Sequence, residues 1–318
     1  MMGVWKRVKK VITRPLYLRD DIEAQIAQLG YDQTQAALLR QFARDGYVIV
    51  DLEIEDFDQL ADQIVAEVDP HYLAGCRIQD AWQFAAGPKR LATEQKVLDL
   101  LKILYGREAF PFQTLNFSEG TEQRTHSDTV HFDAVPIGYM GGVWVALEDV
   151  DANNGPLHYY PGSHLLPQLT LADAGIRGSE DYSYGLYQNH YEPMIEELIA
   201  DKKLRKEEAY VRRGQALIWA ANLLHGGSPI LEAGRSRHSQ VTHYYFENCF
   251  YYTPLLSDPL IGRVFQREPI DVRTNEKVAP TYLGLQIKPK PIRRFKRWLK
   301  EQIVRAPKPT VNASTYKH

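Results

Sequence analysis

Cysteine is scarce: the 318 residues contain only Cys76 and Cys249. A disulfide-stapled scaffold is thereby excluded, and a reducing cytoplasm is the expected compartment, with both thiols read as small buried hydrophobes. Long apolar runs are missing as well. No stretch approaches the roughly 18 uninterrupted apolar residues that span a bilayer. The opening MMGVWKRVKKVITRP puts charges where a secretory leader needs an apolar centre, so export is not expected. There is no internal repeat and no low-complexity tract. Overall charge of one sign is also lacking, with 38 Lys and Arg against 40 Asp and Glu. That balance hides an asymmetry: residues 1–20 carry +5 and residues 288–318 carry +9, which leaves −16 on residues 21–287. An acidic body excludes a broad nucleic-acid groove, which needs its basic charge on the body itself. It leaves only the ends to touch an anionic surface.

What is present is the composition of an ordinary globular enzyme, 44% hydrophobic and 11% aromatic, with 19 tyrosines. The length suits either two domains or one β barrel with additions. The first hundred residues read mainly as helix. Phe57, Leu60, Ala61, Ile64, Val65 and Val68 recur at helical spacing, and Lys96 to Tyr105 forms a second helix that Gly106 stops. Before both, after Gly46, YVIVDL reads as a strand. From about residue 110 the runs become short, aromatic and β-branched (FPFQTLNF, YMGGVWVALEDV, PLHYYPG, QALIWAA, RHSQVTHYYF), punctuated by turns at Asn153-Asn154-Gly155-Pro156 and Pro161-Gly162-Ser163. Such a series predicts an all-β sandwich or barrel. Residues 166–213 interrupt it with a helix, PMIEELIADKKLRKE, and with Tyr182, Tyr184, Tyr187 and Tyr191.

The chemistry-bearing pattern is His126-Ser-Asp128. On a strand, residues i and i+2 project from one face, which would set an imidazole and a carboxylate side by side as ligands for one metal ion. A third ligand from a distant strand would complete a facial triad of two histidines and one carboxylate, open on its far side. His225 in NLLHGGSPI is the candidate, since it follows a strand-like run and precedes two glycines. A second triplet, His131-Phe-Asp133, lies five residues on. Strand parity puts it on the opposite face, and spacing alone does not choose between the pairs.

Residues 126–164, HSDTVHFDAVPIGYMGGVWVALEDVDANNGPLHYYPGSH, resemble the phytanoyl-CoA dioxygenase family of Fe(II)/2-oxoglutarate oxygenases. That family shows an HxD, a Trp-x-Ala-Leu strand, an acidic residue, an Asn-Gly turn and Pro-Gly-Ser/Thr-His, then a distal His-Gly-Ser followed by an Arg. Trp144 stands eighteen residues after His126, the family's spacing, and so selects the first pair. The distal element reads His225-Gly226-Gly227-Ser228, with Arg237 following. FARDGYVIV at 42–50 and RIQDAW at 77–82 extend the likeness upstream.

The resemblance implies a double-stranded β-helix (jelly-roll) core, mainly β with flanking α-helices. It places that core at residues 108–250, with an N-terminal helical layer (1–107) and a C-terminal extension (251–318), all in one catalytic domain. It implies iron on His126, Asp128 and His225, and Arg237 paired with the far carboxylate of 2-oxoglutarate, Arg235 being the rival. Trp144, Asn116 and Ser228 would line or support that cosubstrate. The expected reaction is hydroxylation of a C–H bond of a small organic substrate with O2, releasing succinate and CO2; Asp128 favours it, because halogenating relatives replace that carboxylate. The alternatives are a jelly-roll binding module with a vestigial metal site and a non-redox metalloenzyme on the same barrel. His131 and Asp133 read as structural or substrate-facing, His164 as a turn residue, and the tyrosine segment as a lid or a packed cluster. Both chain ends carry apolar stripes among their basic residues: Val4, Trp5, Val8, Val11 and Ile12, then Ile292, Phe295, Trp298, Leu299 and Ile303. These would pack on the acidic body or lie on an anionic surface.

Overall fold

A computed structural model describes residues 14–73, 75–176, 184–282 and 284–287. Both terminal stripes and Tyr182 lie outside the described residues. Helices α1 (Ile22–Leu29), α2 (Gln33–Asp45) and α3 (Phe57–Val68) precede and follow the first strand, β1 (Tyr47–Asp51). A short strand β2 (Arg77–Gln79) leads to α4 (Ala86–Ala92) and α5 (Gln95–Tyr105). Strands β3 (Ala109–Phe117), β4 (Asp133–Val135), β5 (Met140–Ala146) and β6 (Leu157–Tyr159) come next. After α6 (Glu192–Lys202) follow β7 (Glu207–Glu208), β8 (Gln215–Ala220), β9 (His225–Gly227), β10 (Ser239–Phe246) and β11 (Phe250–Tyr252).

The helices form where the sequence dictates. In α2, Asp32 accepts from the Gln35 N–H at 2.8 Å while the Gln35 side chain accepts from the Asp32 N–H, a capping box. The helix ends on Gly46 at φ 81°, whose N–H donates to the Phe42 carbonyl. A Cβ there would lie 2.4 Å from His164 Nδ1, so only glycine lets the Pro161-Gly162-Ser163 turn close on this helix end. His164 donates from Nε2 to the Ala43 carbonyl, a tie between turn and helix. The apolar stripe of α3 buries Phe57, Leu60, Ala61, Ile64 and Val68, as its spacing predicts.

Six antiparallel strands form the large sheet in the order β1-β8-β5-β10-β3-β2. A smaller sheet, β7-β6-β9, and the pair β11-β4 complete the barrel. This is the double-stranded β-helix expected from the sequence. The division at residue 108 needs correction, because β1 and β2 form the two edges of the large sheet and both precede it. The run of β1 reads as a strand but does not name its partner β8, and β2, Arg-Ile-Gln, has no apolar run to announce it.

Strand alternation divides the large sheet into two faces. Val143, Val145, Ile218, Ala220 and Tyr244 pack outward with Leu39, Phe42, Leu60, Leu101 and Leu104 of the helices. Inward, Trp144, Leu217, Trp219 and Val241 form the barrel wall. Two lateral rows cross that inner face. One runs Gln113–His243–Gly142–Trp219–Tyr47 and the other Leu115–Val241–Trp144–Leu217–Ile49. The first row runs beneath the candidate site. Among the described residues no helix is long and apolar enough to cross a membrane.

Candidate metal centre and its cavity

His126 and His225 face each other across a single antiparallel bridge, each donating its backbone N–H to the other's carbonyl at 2.9 and 3.0 Å. This pairing of two distant segments fixes both imidazoles before any side chain is considered. His126 donates from Nδ1 to the Arg124 carbonyl and His225 from Nδ1 to the Leu223 carbonyl, both at 2.9 Å. Each ring is thereby held in the tautomer that leaves a lone pair on Nε2, which on His126 accepts from the Gln123 amide at 3.4 Å. Those two nitrogens lie 3.7 and 3.8 Å from Asp128 Oδ1. One donor atom from each of the three residues falls within 4.8 Å of the others, and all three residues are buried.

Asp128 does not sit on a regular strand as parity assumed. It opens a 3₁₀ turn, Asp128–Val130, whose N-cap Ser127 accepts from the Thr129 N–H. The bend breaks the alternation that was to carry the second triplet to the opposite face. His131 lines the same cavity, its ring centroid 6.5 Å from that of His126, whereas Asp133 points away and accepts from the Ala134 N–H and the Tyr252 hydroxyl.

Burial pushes the His126 imidazole down to about 3, with His225 as the next contributor, so it is neutral at pH 7. Burial alone would raise the Asp128 carboxyl; His225, His243, His126 and the Trp219 N–H outweigh it and hold the carboxylate below its ordinary value. The donor set is thus two imidazole nitrogens and one carboxylate, which suits a borderline divalent transition metal.

A cavity of about 250 Å³ opens beside these atoms. At one end lies Arg237, 1% exposed, held by the Gly155 carbonyl (2.9 Å) and the Glu119 carbonyl (3.3 Å). Its Nε has no hydrogen-bond partner among the described residues, and neither does the Trp144 indole nitrogen, 5.5 Å separating that ring from the guanidinium carbon. Burial lowers the Arg237 pKa to about 10, which leaves it cationic at neutral pH. Two buried donors without partners in one cavity are a site for an anion. β10 begins only at Ser239, so strand parity places neither arginine, and the irregular segment before that strand holds Arg235. Arg235 pairs with Asp151 and Glu232 outside the cavity.

Two expected cosubstrate residues are not at the cavity. Asn116 alternates with the inward Leu115 and Phe117, so it faces the helices, donating to Gln240 Oε1 at 3.1 Å. Ser228 lies an odd number of residues beyond His225 because of the extra glycine. Its hydroxyl donates to Glu208 Oε1 at 2.6 Å. Conversely, Trp219, His243 and Gln113 line the cavity and had no assigned role. At the mouth, Tyr184 is 58% exposed and stacks on the buried Tyr187, which stacks on Tyr191 and packs on His131.

Asp133 carries a stability prediction. Burial raises its carboxyl from 3.8 to about 7, against the donors from Ala134 and Tyr252. Between those values the folded chain binds more protons here than the unfolded chain, so this site favours folding as pH falls and opposes it as pH rises through 7. Asp133→Asn is expected to exceed the wild type in stability at pH 8 by on the order of 3 kcal/mol, with the gap narrowing as pH falls below 7 and closing only near pH 4. Urea midpoints at both pH values measure this, and a gap independent of pH would contradict the raised carboxyl.

The phytanoyl-CoA dioxygenase (PhyH) family model matches residues 42–239, which runs from α2 to the first residue of β10 and contains all three donor residues and Arg237. The chain belongs to the phytanoyl-CoA dioxygenase family. A curated relative, phytanoyl-CoA dioxygenase domain-containing protein 1 of Danio rerio, is 47% identical over 45 residues. That stretch is 14% of this chain and 16% of the relative's length. Among solved structures, the non-haem alpha-ketoglutarate-dependent carbocyclase SnoK from nogalamycin biosynthesis aligns with TM-score 0.58 at 13% identity, over 82% of this chain and 98% of that one. The epimerase SnoN from the same biosynthesis aligns with TM-score 0.55 at 19% identity, over 81% and 94%. At such identities the likeness carries the double-stranded β-helix and nothing finer. The PhyH match and the donor set agree in pointing to an enzyme of the oxygenase type.

Proposed function

We propose that this chain is a non-haem Fe(II)- and 2-oxoglutarate-dependent dioxygenase that hydroxylates a C–H bond of a small organic substrate. The observation that carries the reading is the meeting, in one cavity, of His126 Nε2, His225 Nε2 and Asp128 Oδ1 with the unpartnered Nε of the buried Arg237. His126, Asp128 and His225 would hold Fe(II), and Arg237 would take the far carboxylate of 2-oxoglutarate through its planar fork, with Trp144 along the same wall. When bound, Fe(II) with 2-oxoglutarate and O2 supplies the oxidising power for C–H hydroxylation, coupled to release of succinate and CO2.

The chain's own residues do the rest. The backbone-anchored Nδ1 protons keep both imidazoles correctly turned, with Nε2 toward the metal position. Arg237 stays charged in a dry pocket, where its pairing with a carboxylate is strongest. On the open side His131, Phe132, Gln79 and Gln113 face the space left for substrate, and Tyr184 covers its mouth. We place the activity at this site and in the cytoplasm. The test is succinate formation from 2-oxoglutarate with Fe(II) in air, against the metal-free protein. Oxygen-dependent succinate is expected. A chain that binds no iron and forms no succinate would instead be a binding module, and metal-dependent turnover without oxygen would mark a non-redox enzyme.

A further inference from the structure

Asp128 has two carboxylate oxygens, and the fold treats them differently. Oδ1 faces both histidine Nε2 atoms, at 3.7 and 3.8 Å. Oδ2 accepts from the Trp219 indole N–H at 2.8 Å. The nearest other ring nitrogen to Oδ2, His243 Nε2, stands at 3.7 Å, outside hydrogen-bond range, its Nδ1 lying 2.9 Å from Gln113 Oε1. Trp219 is 2% exposed and its ring also packs against His225, centroids 4.9 Å apart. One buried side chain therefore touches two of the three donor residues.

The indole reaches this position across β5, over Gly142, its direct cross-strand partner. A Cβ on Gly142 would lie 2.2 Å from Trp219 Cζ2 and 2.3 Å from Cε2. Any side chain there would drive the indole off, because the contact is with the body of a rigid ring and not with a flexible tip. A glycine inside a central strand weakens that strand, so its place at this one register position calls for a reason, and the indole supplies it.

We propose that Trp219 is the positioning residue for Asp128: its N–H holds Oδ2 so that Oδ1 alone is presented to the metal, and Gly142 is bare to let the indole lie there. The inference rests on the reading of His126, Asp128 and His225 as the metal ligands. Single-oxygen attachment leaves open coordination positions that a chelating carboxylate would fill.

The probe is Co(II), titrated anaerobically into the metal-free full-length chain and followed by its visible absorption. Trp219→Phe keeps an aromatic ring and removes the N–H. It is expected to lower Co(II) affinity 10–100-fold, the range for losing a group hydrogen-bonded to a ligand, and to change the ligand-field bands as Oδ2 becomes free to bind. Gly142→Ala is expected to give the same spectral change. Trp82→Phe removes an equivalent bond, from the indole to Asp80 Oδ1 at 3.2 Å outside the site, and should change neither quantity. Should the Trp219 variant not fold, the wild type labelled with ¹⁵N in its indoles decides, the other tryptophans being assigned through their own Phe variants. The Trp219 N–H is expected to resist exchange and to shift on Zn(II) addition. An unprotected N–H, or a folded Trp219→Phe with unchanged Co(II) affinity and spectrum, overturns the proposal and leaves the metal centre standing. A wild type that binds no Co(II) overturns both.

Discussion

His126→Ala is expected to lose Fe(II) binding while keeping the fold. The loss should exceed about 100-fold, because removing even a group that only orients a ligand costs 10–100-fold. What makes the experiment clean is that the pairing of the two ligand segments is a backbone affair. The His126 N–H and carbonyl bond the His225 carbonyl and N–H whatever side chain is present. The imidazole itself packs beside an open cavity and is kept neutral by burial, so its removal leaves no unpaired charge. The vacated Arg124 carbonyl is the one acceptor left without its partner. Anaerobic Fe(II) titration with circular dichroism separates the outcomes: a native spectrum with no bound iron is expected, and stoichiometric iron in the variant would refute the ligand assignment. His131→Ala is the control, since that ring lies in the same cavity but is not one of the three converging donors.

Much of this site was readable before any coordinates, and the limits of that reading are physical. Phe57 to Val68 and Gln95 to Tyr105 announce themselves through their period and their terminal signals, because a helix is a local structure. His126, Asp128, His225 and Arg237 stand out through their resemblance to the family's motifs; HxD spacing alone would not have set them apart. Asn116 shows what spacing cannot supply. A strand has two faces, and nothing within FPFQTLNF says whether the odd or the even residues turn inward. Trp219 and His243 were invisible for a related reason. Each sits in an aromatic run that reads as core, and its neighbourhood to Asp128 exists only through the register of β10 against β5 and of β5 against β8. The one local sign was the Gly141-Gly142 pair within an otherwise apolar central strand. A glycine in such a strand marks the close approach of another group; here Gly141 makes room for the Tyr105 hydroxyl on the outer face and Gly142 for the indole on the inner.

Arg237→Met is expected to raise the concentration of 2-oxoglutarate needed for half-maximal turnover by on the order of 100-fold or more, because truncating one partner of a buried hydrogen-bonded charge pair costs about 2–5 kcal/mol. Methionine fills much of the arginine's volume without its charge, so the change is read in binding more than in packing. Some stability is lost with the bonds to the Gly155 and Glu119 carbonyls, but these lie away from the donor atoms, and Fe(II) affinity should hold. Arg237→Lys is expected to fall between the two, since a point charge replaces a planar fork that can grip both carboxylate oxygens. Arg235→Ala should match the wild type for 2-oxoglutarate, its ion pairs with Asp151 and Glu232 being outside the cavity. Equal loss in the Arg235 and Arg237 variants would mean that the cationic field of the region, not one aimed guanidinium, recruits the cosubstrate. In that case the effect would fade with added salt, whereas a buried pair is screened far less.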